Sequence, residues 1–118
     1  MKQMPESRGI VRGSGHNISG RFFIDGILHN LDVYVTGEPL PHFSVSNARV
    51  TYESPKELRG QEVLQPSSRV GGSDISLSLM GRSGTQSITG QIEPPLPEDF
   101  LISGQGAWGV YKDDDDDD

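Results

Sequence analysis

From Ile18 to Val35, apolar side chains recur at alternate positions on either side of Asp25-Gly26, interrupted only by Gly20 and His29. Asp-Gly takes the two positive φ angles of a type I′ turn, and a two-residue turn fixes the register of the strands it joins. Ile24 then faces Ile27, Phe22 faces His29, Gly20 faces Leu31, Ile18 faces Val33 and His16 faces Val35, so one face is almost wholly apolar. The other pairs Asn17 with Tyr34, Ser19 with Asp32, Arg21 with Asn30 and Phe23 with Leu28, a mixture suited to water or to a partner.

A third strand is predicted from His42 to Tyr52, after a turn through residues 37–41. Its parity changes at Asn47, because Phe43 and Val45 share one face while Ala48, Val50 and Tyr52 share the other. One extra residue there, a β-bulge, restores the alternation. Residues 54–66 lose the period of two, and Pro55 to Gly60 reads as a short helical turn with proline at its start and glycine at its end. A second hairpin reads DISLSLM, GRSG, TQSITGQI; closing it on Arg82-Ser83 sets Leu77 opposite Ile88 and Ile75 opposite Gly90. Pro94, Pro95 and Pro97 then bar regular pairing. Residues 100–104 and 107–111 make a last strand or strand pair. Ile-Ser-Gly or Ile-Thr-Gly ends at Gly20, Gly90 and Gly104, and a glycine inside a strand marks a bend or a close approach, as where a sheet coils over to close.

Composition agrees with many short strands. The chain has 118 residues, 32% of them apolar, with fifteen Gly and eight Pro, which fits one modest core rich in turns. The expected fold is all-β: a single domain of about six to eight mostly antiparallel strands, arranged as a Greek-key sandwich or small barrel. It is expected to span residues 15–112, preceded by a flexible N-terminal arm (1–14) and followed by an acidic tail (113–118). With no cysteine, disulfides, thiolate catalysis and thiolate metal sites are excluded. No signal peptide or membrane span is predicted, since no apolar run has the needed length; a cytoplasmic or virion location is expected.

The formal net charge of −7 is concentrated at one end. Residues 1–112 carry ten Lys and Arg against eleven Asp and Glu, a net −1; Asp113, Asp114, Asp115, Asp116, Asp117 and Asp118 supply the rest. Such a run acts as a solubilising or interaction appendage, and without the alternating ligands and turn glycine of a calcium loop it would hold that ion weakly. Residues 111–116 read YKDDDD, which resembles the FLAG-type epitope but departs from it at Val110 and Asp117. Tyr111 also continues the WGVYK strand ending, and the run is taken as part of the chain.

Enzymatic chemistry finds little support. No serine sits in a G-x-S-x-G elbow, no carboxylate pair is spaced on an identifiable element, and the GSG and GQG fragments lack the strand–loop–helix setting of a phosphate site. His16, His29 and His42 are thirteen residues apart. With His16 and His42 on strands flanking Val35, they stand about 9 to 10 Å apart, too far for two ligands of one zinc, whose nitrogens lie about 2.0–2.1 Å from the metal. No catalytic residue, metal or cofactor is therefore assigned.

The leading expectation is a non-enzymatic structural or protein-interaction module, a subunit of a larger homomeric or virion-like assembly whose terminal arms contact neighbours. Its interaction surface is expected to include Arg21, Phe23, Leu28, Tyr34, Trp108 and the aspartates 113–118. The alternative is a small β-barrel that binds single-stranded nucleic acid through aromatic and basic side chains, with the aspartates as an autoinhibitory phosphate mimic. Against it, the basic residues are scattered along the sequence.

Overall fold

The computed structural model describes residues 5–82 and 84–110. The expected tail, residues 113–118, lies outside these, as do Tyr111, Lys112 and Ser83.

Asp25 and Gly26 both take positive φ, 55° and 80°, and the hairpin they close has the expected register. Its strands are β2 (Asn17–Ile24) and β3 (Ile27–Thr36). The second hairpin, β7 (Asp74–Gly81) with β8 (Gly84–Gln91), likewise sets Leu77 opposite Ile88 and Ile75 opposite Gly90. The remaining strands are β1 (Glu6–Gly15), β4 (Leu40–Thr51), β5 (Gly60–Leu64), β6 (Arg69–Gly71), β9 (Asp99–Leu101) and β10 (Ser103–Val110). A single 3₁₀ turn, Pro55–Glu57, joins β4 to β5, with Ser54 as its N-cap.

Every pairing is antiparallel. β5 and β6 follow one another along β7, and β9 and β10 follow one another along β6 and β5, so the ten segments fill eight positions of a closed barrel. The first four positions run in the spatial order β4-β1-β2-β3 and the last four in the order β9/β10-β5/β6-β7-β8. Each half is a Greek key, with the fourth strand returning beside the first. β3 with β10, and β4 with β8, join the halves. Of the two expected architectures, sandwich or barrel, the structure is the barrel.

The expected N-terminal arm is the main departure. Residues 6–15 form β1, paired with β2 on one side and β4 on the other. Residues 6–15 therefore belong to the barrel wall and not to an arm. Its alternation is masked because Gly9 and Gly13 flank Val11 on the inward face. A side chain at Gly9 would run first into the Arg21 carbonyl oxygen and then into the Phe22 ring, and one at Gly13 into the Phe43 ring. At Gly13 the ring fills the space that the glycine leaves; at Gly9 the neighbouring backbone shares it.

The bulge predicted at Asn47 is present. Gly9 pairs with Ala48 and Val11 with Val45, so Ser46 and Asn47 together face Ile10. A second irregularity places Pro41 and His42 opposite Ser14. Beyond the bulge, Gly90 brings β8 close to β4: a Cβ on it would lie 2.5 Å from Val45 Cγ1 and 3.2 Å from Ala48 Cα. That is the close approach expected of this glycine.

Alternate residues of the eight positions fill the barrel with one apolar core, including Phe22, Leu31, Phe43, Val50, Leu77, Leu79 and Ile88. One end carries the β2–β3 turn, the 3₁₀ turn, the β7–β8 turn and the last residue of β10, with Leu58 buried as a plug. Among the described residues no helix is long and apolar enough to cross a membrane.

Candidate interaction face

β4, β1 and β2 are neighbours in the barrel wall, and together they contain four arginines and one carboxylate. Arg8 and Arg12 on β1, Arg21 on β2 and Arg49 on β4 are all exposed. They are four of the ten Lys and Arg of an acidic protein. Arg8 and Arg49 stand directly opposite each other across the β1–β4 pair, a like-charge arrangement that costs stability. Each has one neutralising or hydrogen-bonding contact: Arg49 Nε lies 3.5 Å from Glu6 Oε1, and Arg8 Nη1 donates to Asn47 Oδ1 at 3.1 Å. Arg12 lies between Ser19 and Ser44, beside a shallow hollow of about 330 Å³ that Ser14, Asn17 and His42 also line.

Next to the arginines, the residues on either side of the exposed Asp25-Gly26 turn are apolar. Phe23 is 64% exposed, Ile27 is exposed, and Leu28, paired with Phe23, is half-buried. The structure thus gathers Arg21, Phe23 and Leu28 with Arg8 at one end of the face. Tyr34 also points outward, 55% exposed, but it lies six residues along β3 from Leu28, about 20 Å away at 3.3 Å per residue. Its ring stacks on His16, with centroids 5.6 Å apart, and His16 Nδ1 donates to the Val35 carbonyl at 2.9 Å.

Trp108 does not belong to the surface. It is 4% exposed, because β10 turns Ala107 outward and Trp108 inward, toward Phe22 at a centroid distance of 6.0 Å. Its Nε1 donates to Gln86 Oε1 at 3.2 Å, and Gln86 Nε2 donates to Glu57 Oε1 at 3.5 Å. Glu57 Oε1 also accepts from the Glu53 amide at 3.4 Å. This chain lies under the 3₁₀ turn. Replacing Gln86 with Leu removes a partner from both Trp108 and Glu57 at once. We expect a loss of about 1–3 kcal/mol, read by chemical denaturation followed through the emission of the chain's one tryptophan.

Glu62, one strand from Trp108, is the second polar group of this interior. It is 1% exposed and neither carboxyl oxygen has a hydrogen-bond partner. Burial, and secondarily the charge of Glu57, push its pKa from 4.5 up to about 7. Gly81 and Gly106 flank it on the neighbouring strands, and a Cβ on Gly81 would sit 2.7 Å from Glu62 Oε1. No sequence motif marks this residue. A carboxyl with a raised pKa is where a general acid or base is sought; here both oxygens are enclosed in the wall. On the outside of the same wall lies a cleft of about 630 Å³ lined by Arg59, Gln61, Val63, Met80, Arg82 and Gln105, among others.

The histidines are not arranged as expected. β4 pairs with β1, not β3, so His42 stands across from Ser14 and not beside Val35; His29 is buried, its Nδ1 donating to the Ile27 carbonyl at 3.1 Å. Among the described residues no group of three or more His, Asp or Glu is placed to hold a metal ion.

Comparison with models of known protein families, with curated proteins and with solved structures returned no match. The functional reading therefore rests on the face itself. The four arginines are separated by 4, 9 and 28 positions in sequence, and only the β4-β1-β2 order brings them together. A signal was present in each strand separately: an arginine at an outward position with no carboxylate on the same strand, except Glu6 on β1.

Proposed function

We propose that this protein is a non-enzymatic interaction module, a subunit of a larger assembly in the cytoplasm or a virion, that docks an acidic protein segment on the outer face of β4-β1-β2. The observation that carries this reading is the collection of Arg8, Arg12, Arg21 and Arg49 on three adjacent strands beside the exposed Phe23. Exposed single ion pairs are weak, about 0.2–1 kcal/mol each, so useful affinity needs several engaged together, with an apolar contact adding its own share. Arg8 and Arg12 lie four residues apart on one strand, about 13 Å. An extended acidic peptide repeats its same-side carboxylates at half that interval. Homomeric assembly follows if the acidic segment comes from a second copy.

A second reading, single-stranded nucleic acid, gains from the same observation, because basic groups that are scattered in sequence share a surface with an aromatic ring. One titration separates the two. Fluorescence anisotropy of a labelled acidic peptide and of a labelled oligothymidylate is measured at low and at raised salt. The Arg8→Gln/Arg21→Gln variant should weaken peptide binding several-fold, while Arg59→Gln/Arg82→Gln on the far wall should leave it unchanged. Tighter binding of the oligonucleotide, with the same dependence on Arg8 and Arg21, favours the second reading. No binding of either probe at low salt removes both.

A further inference from the structure

The arginine face and the aspartate run belong to one chain, and the place where β10 ends puts one within reach of the other. Val110 pairs with His29 on β3, His29 with Phe22 on β2, and Phe22 with Gly9 on β1. The chain therefore leaves the described barrel on the same row of residues that Arg8 and Arg21 immediately flank. From β10 to β1 is three strand spacings, about 14 Å around the wall; Arg49, on β4, is one spacing further. The eight residues from Tyr111 to Asp118 can span about 26 Å when extended. The positions crossed on the way belong to Asn30 on β3 and to Arg21 and Phe23 on β2, none of them acidic.

Charge complementarity points the same way. The three strands hold four arginines and the single carboxylate Glu6, while the run offers six aspartates with no cation after Lys112. We infer that Asp113–Asp118 occupy the Arg8/Arg21/Arg49 end of the face in the same molecule and so compete with the acidic partner. This rests on the reading of that face as the working surface. It makes the tail a regulator: a segment tethered to the barrel is present at an effective concentration of about millimolar, which a weak partner does not overcome and a multivalent one does. Raised salt weakens both contacts, since exposed charges are screened over about 8–10 Å.

The test compares the full chain with a full-length variant carrying Asp→Asn at all six positions from 113 to 118, using a labelled twelve-residue polyaspartate peptide as the probe. We expect the variant to bind the probe roughly three- to tenfold more tightly than the parent at low salt, the difference vanishing at raised salt and in the background of Arg8→Gln/Arg21→Gln. Equal binding by parent and variant overturns the tail's place on the face while leaving the face reading intact. Failure of both to bind overturns the face reading and the inference with it. If the parent's disadvantage grows with its own concentration and light scattering reports dimers, the tail of a second copy is the occupant, and docking within one molecule is overturned.

Discussion

Glu62→Gln should be more stable than the parent protein near about pH 8 and indistinguishable from it near about pH 4. The folded state holds the Glu62 proton more tightly than the unfolded chain does, with a pKa of about 7 against 4.5. Below the unfolded value both states are protonated and burial costs little. As pH rises through this window, unfolding releases a proton that the folded protein would retain, so stability falls until the folded carboxyl also ionises. The full swing is at most about 3 kcal/mol, at 1.36 kcal/mol per unit of pKa difference. Glutamine keeps the shape and cannot ionise, so its denaturation midpoint should lack this descent. Because the other carboxylates titrate in both proteins, the quantity to follow is the difference between the two midpoints at each pH. A difference that stays flat from acid to mildly basic pH would falsify the assignment. Glu57→Gln should produce a smaller change of the same sign in the Glu62 profile, since burial is the larger cause.

A single methyl group at Gly13 should cost about 1–3 kcal/mol, although alanine ordinarily improves on glycine in a strand by roughly 0.5–1 kcal/mol. Gly13 pairs with Phe43, and the ring of Phe43 covers the position where a Cβ would stand. Both residues are buried, so the ring has no route to solvent. Phe43→Leu alone empties part of that space and should cost on the order of 1–2 kcal/mol. Combined, the two changes should be cheaper than their sum, because the methyl enters the volume that the ring has left. Chemical denaturation of the four proteins gives the coupling directly. Strict additivity would mean that Phe43 already moves aside at no cost, and that glycine here does not serve to admit the ring.

The two hairpins were legible in the sequence because their information is local. Asp25-Gly26 sets a register that every residue from Asn17 to Tyr34 then obeys, and the Arg82-Ser83 closure does the same for Ile75 and Leu77. The parity change at Asn47 was readable for the same reason. β1 was not, because its inward positions are held by Gly9 and Gly13, which carry no apolar signal even though they lie in the core wall. The placement of β4 beside β1 depends on a connection, residues 37–39, whose composition says only that the chain turns. That one ambiguity sent His42 to the wrong neighbour and kept Arg8 and Arg49 apart. Trp108 was misplaced because the flanking Gly106 and Gly109 give no alternation from which to fix which way it points. Of the expected surface, Arg21, Phe23 and Leu28 are gathered as read, and Tyr34 shares their wall at its other end.

Closure of the wall has one more effect. Among the described segments only the three-residue β9 is hydrogen-bonded to a strand on one side alone, so the sheet offers little free edge for an added strand, the route by which open sheets recruit peptides and by which they polymerise. The docking proposed for the arginine face accordingly uses side chains. On the proposed reading, a partner held there would change by point substitution, respond to ionic strength, and come away without any strand being unzipped.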